Sequence, residues 1–233
     1  MKSIKTLALV TGLLAISGVS QAQFSSTWTA VSDYDFRGVS QSATDPALQG
    51  SADYAFGDSG FSVGAWASNV DWSPAEEEIE LDLYFNYTGK INDTFAWTGG
   101  ATWYDYPDGD DLDGYAEVYV GFNAGKFSMK QWFADDYVAG GQSAMYTEAN
   151  YTEPMTDALS LALHVGYSWG DFWDDLEPQY DYAVQLNWTA GHFTVFGKIT
   201  GTDASGPFKI ENGVGTNEAR GLIGVSTTFP WGD

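Results

Sequence analysis

The sequence predicts an all-β protein: an antiparallel, up-and-down transmembrane β-barrel of about 12 strands behind an N-terminal signal peptide. Three observations carry that expectation. The chain beyond residue 22 alternates apolar and polar residues with a period of two in twelve successive segments. The connections between those segments alternate short and long. No stretch beyond the leader reaches the ~18 uninterrupted apolar residues of a membrane helix, so any membrane crossing falls to strands.

The leader comes first in the chain. A short basic head, Met1 to Lys5, precedes an apolar run from Leu7 to Val19, and Ser20-Gln21-Ala22 is a small-x-small cleavage site. That is the make-up of a secretory signal peptide, too short and wrongly flanked for a spanning helix. Residues 1–22 are therefore expected to be the signal peptide and 23–233 a single barrel domain. Cleavage leaves 7 basic against 32 acidic residues, a formal charge of −25.

Residues 79–87 show the strand pattern most plainly. Ile79, Leu81, Leu83, Phe85 and Tyr87 share one face, while Glu80, Asp82, Tyr84 and Asn86 share the other. Leu159, Leu161, Leu163, Val165 and Tyr167 repeat it against Ser160, His164 and Ser168. So do Tyr180, Tyr182, Val184, Leu186 and Trp188 against Asp181, Gln185 and Asn187. Between Ala116 and Ala124, the apolar Val118, Val120 and Phe122 oppose Glu117, Tyr119 and Asn123. Weaker versions cover 26–37, 47–56, 60–70, 94–104, 127–134, 145–152, 193–200 and 220–229. With one parity per segment, no charge falls on an apolar face in the central spans. Segments with several charges, at 33/35/37 and 80/82, leave no freedom in that choice.

The links Gly57 to Gly60, Lys90 to Asp93, Ala124 to Lys126, Glu153 to Asp157 and Ala190 to His192 are tight turns. The links at 40–46, 71–78, 105–113, 135–144, 170–179 and 201–219 are longer and more acidic. Short turns at one membrane surface and loops at the other are the plan of a transmembrane meander. A strand of ~11 residues tilted ~40° rises ~28 Å, enough for the ~25 Å apolar band of such barrels. Aromatics near strand ends on the apolar face supply the expected girdles: Tyr34, Phe36, Phe56, Tyr87, Trp103, Phe133, Tyr151, Tyr167, Trp188 and Phe229. A soluble β-sandwich would share the alternation and the leader. It would not explain the short–long rhythm, nor an even strand count with both termini on one side.

Composition excludes other classes. A formal charge of −23 for the whole chain opposes a nucleic-acid partner, because phosphate binding needs a basic face. The absence of cysteine removes disulfides, thiolate metal sites and cysteine nucleophiles, and two histidines leave little for a histidine-based metal centre. No cofactor or metal site is expected.

The first third of the mature chain carries a resemblance. Asp33-Tyr34-Asp35-Phe36-Arg37-Gly38-Val39-Ser40-Gln41, then Pro46 to Gly50, Ser59-Gly60-Phe61, Gly64 to Asp71 and Glu80 to Tyr84 resemble the TorF family of bacterial outer-membrane porins. The resemblance implies an outer-membrane barrel of a Gram-negative cell and a channel role in transport, with no catalytic residues to carry over. The chain departs from the usual aromatic terminus of outer-membrane barrels, since Pro230-Trp231-Gly232-Asp233 follow Phe229; either Phe229 or Trp231 can present the aromatic read by the insertion machinery.

In such a barrel the polar face lines the interior. The lumen-lining candidates are Asp33, Asp35, Arg37, Asp53, Glu80, Asp82, Glu117, Lys130, Glu148, His164, Asp181 and Lys198, with Arg220 on the same face. An acid excess along a pore favours cations over anions, and the acidic long loops would concentrate cations at the mouth. The expectation is an outer-membrane porin-like channel for passive diffusion of ions or small solutes, preferring cations, embedded in outer-membrane lipid. A homo-oligomer is compatible with it. The alternative is a non-conducting structural or surface-binding barrel whose interior charges pair and plug the lumen. Arg37 is expected on the inner face of the first strand, as counter-ion to Asp33 and Asp35. Tyr115, Tyr119, Trp132 and Tyr146 are expected to face inward.

Two catalytic or metal readings fail. Asp108 to Gly114 resembles a calcium loop, but Leu112 stands where an oxygen ligand is needed and helical flanks are missing. His164 with Ser160 or Ser168 and Glu148 is the available Ser/His/acid grouping. Residues four apart on a strand lie ~13 Å apart, too far for a nucleophile and its base. An enzyme is not expected.

Overall fold

The alternating segments become strands because each has two faces needing different surroundings, and a closed sheet in a membrane supplies both. The computed structural model describes residues 24–72, 77–107, 113–174, 178–203 and 219–231. The strands are β1 (Phe24–Val31), β2 (Asp35–Phe36), β3 (Val39–Ser40), β4 (Ala47–Ala55), β5 (Phe61–Asn69), β6 (Ile79–Lys90) and β7 (Phe95–Asp105). After them come β8 (Tyr115–Ala124), β9 (Phe127–Ala134), β10 (Ala144–Pro154), β11 (Leu159–Trp169), β12 (Gln179–Ala190), β13 (Phe193–Thr202) and β14 (Arg220–Phe229). Twelve of them, β1 and β4 to β14, form a closed antiparallel barrel; β2 and β3 form a separate ribbon. Each barrel strand pairs with its neighbours along the barrel. β1 closes the ring on β14, with Ser26 opposite Phe229 and Val31 opposite Gly224. Closure leaves no edge to pair with another chain. Among the described residues no helix is long and apolar enough to cross a membrane.

The two faces separate sharply. On β14, Ile223 is 70% exposed and its neighbour Leu222 only 3%. Leu83, Val120, Val165, Tyr180 and Ile199 continue the exposed apolar exterior around the barrel. In water such a surface would be an aggregation liability; against lipid it is the expected solvent contact. Tight turns join β4–β5, β6–β7, β8–β9, β10–β11 and β12–β13 at one end, here the turn end, where both barrel termini also lie. In one of these turns the Asn92 side chain accepts hydrogen bonds from the backbone N–H groups of Thr94 (3.0 Å) and Phe95 (2.9 Å). The longer links gather at the opposite, loop end. At the turn end Trp231 stacks on Phe229 (4.8 Å between centroids) and on His192 (4.9 Å).

One expected element is corrected. The first barrel strand ends at Val31 rather than continuing to residue 37, and residues 32–46 turn inward. Asp33, Asp35 and Arg37 therefore do not lie on the first strand, and Tyr34 and Phe36 do not join a lipid-facing girdle. Tyr34 is buried in the interior. The expected signal peptide, residues 108–112 of the acidic run and most of the last long link (204–218) lie outside the described residues.

Candidate functional site

The inward segment starts where the wall bond from Ser32 N to Ile223 O (2.9 Å) ends the pairing of β1. Its ribbon pairs Asp35 with Ser40 and Phe36 with Val39, so Arg37 and Gly38 are the two tip residues. Both have positive φ, 51° and 80°, the signature of a tight primed hairpin turn. A side chain at Gly38 would sit 2.7 Å from Gly201 O and 2.8 Å from Asp181 Cβ, so the tip rests directly on the wall at β12 and β13. Ser40 Oγ donates to Asp33 (2.5 Å), Tyr34 N donates to Ser42 Oγ (2.9 Å), and Gln41 N donates to Tyr34 O (2.7 Å). The segment is thus bonded to itself as well as to the barrel.

Its charges are paired across the lumen. Arg37 Nη1 and Nη2 donate to Glu117 Oε1 (3.0 Å) and Oε2 (2.5 Å), on β8, almost opposite β1 in the ring. Tyr104 Oη also donates to Glu117, at 3.0 Å. The guanidinium lies 4.1 Å from the Tyr146 ring centroid. Burial opposes its charge, but Glu117 beside it prevails and holds Arg37 protonated well above its ordinary range. Nearer the root, Asp35 accepts from Lys198 Nζ (2.6 Å), Arg220 Nη2 (2.6 Å) and Thr200 Oγ1 (3.1 Å). Asp33 accepts from Arg220 Nε at 2.8 Å. The counter-ion of Arg37 is therefore Glu117, and Asp33 and Asp35 take their cations from β13 and β14. Tyr34 Oη reaches β6 and donates to Glu80 (3.0 Å); burial and the Glu80 and Asp82 carboxylates push its phenol well above the usual range.

The remaining candidates face inward from the wall: Asp53 on β4, Glu80 and Asp82 on β6, Glu117 on β8, Lys130 on β9, Glu148 on β10, His164 on β11, Asp181 on β12 and Lys198 on β13. His164 Nε2 lies 2.8 Å from Asp181 Oδ1 and 2.9 Å from Tyr146 Oη, and its Nδ1 lies 2.7 Å from Asn150 Oδ1. The ring nitrogens meet no serine, so the Ser/His/acid grouping is not assembled. Lys130 makes no ion pair among the described residues; its ammonium lies 4.5 Å and 5.1 Å from the ring centroids of Tyr119 and Trp132. Glu148 accepts from Trp132 Nε1 (2.8 Å) and Asn150 Nδ2 (3.0 Å). Among the described residues no three His, Asp or Glu side chains converge on a point where a metal ion would be held.

A wall device escaped sequence reasoning. Three lumenal tyrosines each lie across a glycine of the next strand to reach a partner one strand further. Tyr84 crosses Gly64 to Asp53, Tyr119 crosses Gly100 to Asn86 (2.7 Å), and Tyr146 crosses Gly166 to Asp181 (3.2 Å). Any side chain at those glycines would collide with the ring. The available signal was an inward Tyr beside an inward Gly, legible only once strand order and register are known. Above them, Tyr104, Tyr106, Tyr115, Tyr137 and Trp173 form a buried aromatic cluster at the loop end, joined by Phe36 of the inward segment.

A closed twelve-strand barrel with a polar, charged interior and an apolar exterior is a barrel of the porin type. Residues 15–229 match the family described as "Bacterial protein of unknown function (Gcw_chp)", and the chain belongs to that family. Among solved structures it is similar to the NanC porin, with a TM-score of 0.59 and 12% identity over 88% of this chain and 98% of that one. It is similar to the KdgM porin, with a TM-score of 0.56 and 11% identity over 88% and 99%. A KdgM porin in complex with disordered oligogalacturonate gives a TM-score of 0.57 and 10% identity, again over 88% and 99%. Identities this low establish the shared fold. No curated protein matches the sequence.

Proposed function

We propose that the protein is an outer-membrane channel for passive diffusion of ions or small solutes, preferring cations, exported by its signal peptide and inactive as an enzyme. The observation that carries this reading is the acid excess of the interior. Asp53 and Glu148, both partly open to solvent, stand outside any Lys or Arg ion pair among the described residues, as do the buried Glu80 and Asp82, against Lys130 as the single unpaired lumenal Lys or Arg there. Fixed carboxylates in a narrow aqueous path lower the energy of cations and raise that of anions. The resemblance of residues 33–84 to TorF porins supports the same reading. A neighbouring KdgM porin was solved with oligogalacturonate. A polyanion of that kind would be repelled by this lumen, so we assign a different cargo, cations or small neutral solutes.

A second reading, a non-conducting barrel, is favoured by the packed loop end. Single-channel recording of the refolded mature chain in a planar bilayer under a salt gradient tests both. Discrete steps with a cation-favouring reversal potential are expected. Anion-favouring steps would discard the acidic lining as the selectivity element. A folded barrel, verified by heat-modifiable gel migration, that never gives a step would favour the second reading.

A further inference from the structure

We infer that residues 32–46 are a latch that shuts the loop end of the lumen, with Arg37 docked on Glu117 as its bolt, and that withdrawing the bolt opens the path. This rests on the channel reading above and adds its regulation. The segment is held unevenly, with three of its four ion pairs among the described residues running to β13 and β14. Its root is fixed close to where it leaves the wall. Arg220 on β14 binds both Asp33 and Asp35, Lys198 on β13 binds Asp35, and both strands lie next to or near β1 in the ring. At its tip Arg37 crosses to the far wall, where the ion pair with Glu117 and the face of Tyr146 hold it alongside the Tyr34–Glu80 bond, while Gly38 O accepts from Arg220 Nη1 at 3.0 Å on the near side. Loss of the Arg37–Glu117 pair would leave Arg220 and Lys198 holding the ribbon on the side of β13 and β14, so it would tilt toward that wall rather than unravel. The bolt is also placed for its task. Glu117 is 2% exposed and steadied by Tyr104, and it meets the planar guanidinium with both oxygens. Phe36, beside the bolt, is the latch's own contribution to the aromatic cluster of the loop end, so withdrawal would also remove a ring from that lid.

The chain has no cysteine, so Ser40→Cys in the ribbon, where Ser40 is 0% exposed, introduces a single thiol. In the refolded full mature chain this thiol should resist a membrane-impermeant maleimide. Adding Glu117→Gln, which keeps shape and removes charge, should speed labelling at least about tenfold, the order of a lost charge-assisted hydrogen-bond pair. The exchange Arg37→Glu with Glu117→Arg should restore protection. In parallel, Glu117→Gln with Ser40 intact should give larger or longer single-channel steps than the unaltered chain. Rapid labelling with Glu117 in place, or unchanged labelling after Glu117→Gln in a heat-modifiable barrel, would overturn the latch. So would faster labelling with channel steps of unchanged size and duration. Faster labelling with no steps in any variant would leave the latch standing and sink the channel reading instead.

Discussion

At the loop end, the inner faces of β6, β8 and β12 carry Glu80, Glu117 and Asp181, each less than 5% exposed. Towards the turn end the same barrel carries Asp53, Lys130, His164 and Gln185, all partly open to solvent. Strand composition does not separate the two halves, since both inner faces are polar. The inward segment separates them. Where it fills the lumen, charges lose water and need partners, so Arg37, Lys198 and Arg220 each meet a carboxylate. Where it is absent, Lys130 stands in no ion pair among the described residues and rests on two rings.

Substitutions matched across the two halves measure how far their interiors differ. Arg220→Met would strip Asp33 and Asp35 of a shared guanidinium, and should cost about 3 kcal/mol in urea unfolding from lipid vesicles, as expected for a buried pair robbed of one partner. Lys130→Met, the turn-end counterpart, should cost about 1 kcal/mol or less, the scale of a cation–π contact, and should move the reversal potential further towards cations. Equal costs would mean that the two halves are equally dry. Tyr84→Phe removes the hydrogen bond to Asp53 and should cost about 1 kcal/mol. The smallest effect is expected outside the lumen: Lys126, exposed in a turn and paired with Glu153 at 2.7 Å, should be replaceable by alanine without measurable change in stability or conductance.

Most of the barrel was legible because lipid and lumen impose opposite requirements on alternate residues, and that contrast is written directly into segments such as 79–87 and 180–188. The latch was not legible for a related reason. Asp33-Tyr34-Asp35-Phe36-Arg37 alternates like a strand, so the period of two runs past Val31 into a segment that has already left the wall. Its turn is disguised as well, since primed hairpin turns usually show Asn-Gly or Asp-Gly and this one shows Arg37-Gly38. The bolt joins residues 80 positions apart, beyond any local pattern. The first of the stretches that resemble the TorF family, Asp33 to Gln41, falls within this inward segment. The inward-facing set could be named from parity alone, whereas partners such as Glu117 for Arg37 required the register of strands far apart in sequence.

On the latch reading, one segment, and not the wall, closes an otherwise available path. Val31 and Ala47 are direct register partners, so residues 32–46 can be replaced by Asn-Gly to give a two-residue hairpin. This shortened chain, refolded and recorded in a planar bilayer under a salt gradient, should show steps several-fold larger than the full mature chain, with a cation-favouring reversal potential. Steps no larger than those of the full chain, from a barrel still heat-modifiable on a gel, would contradict it.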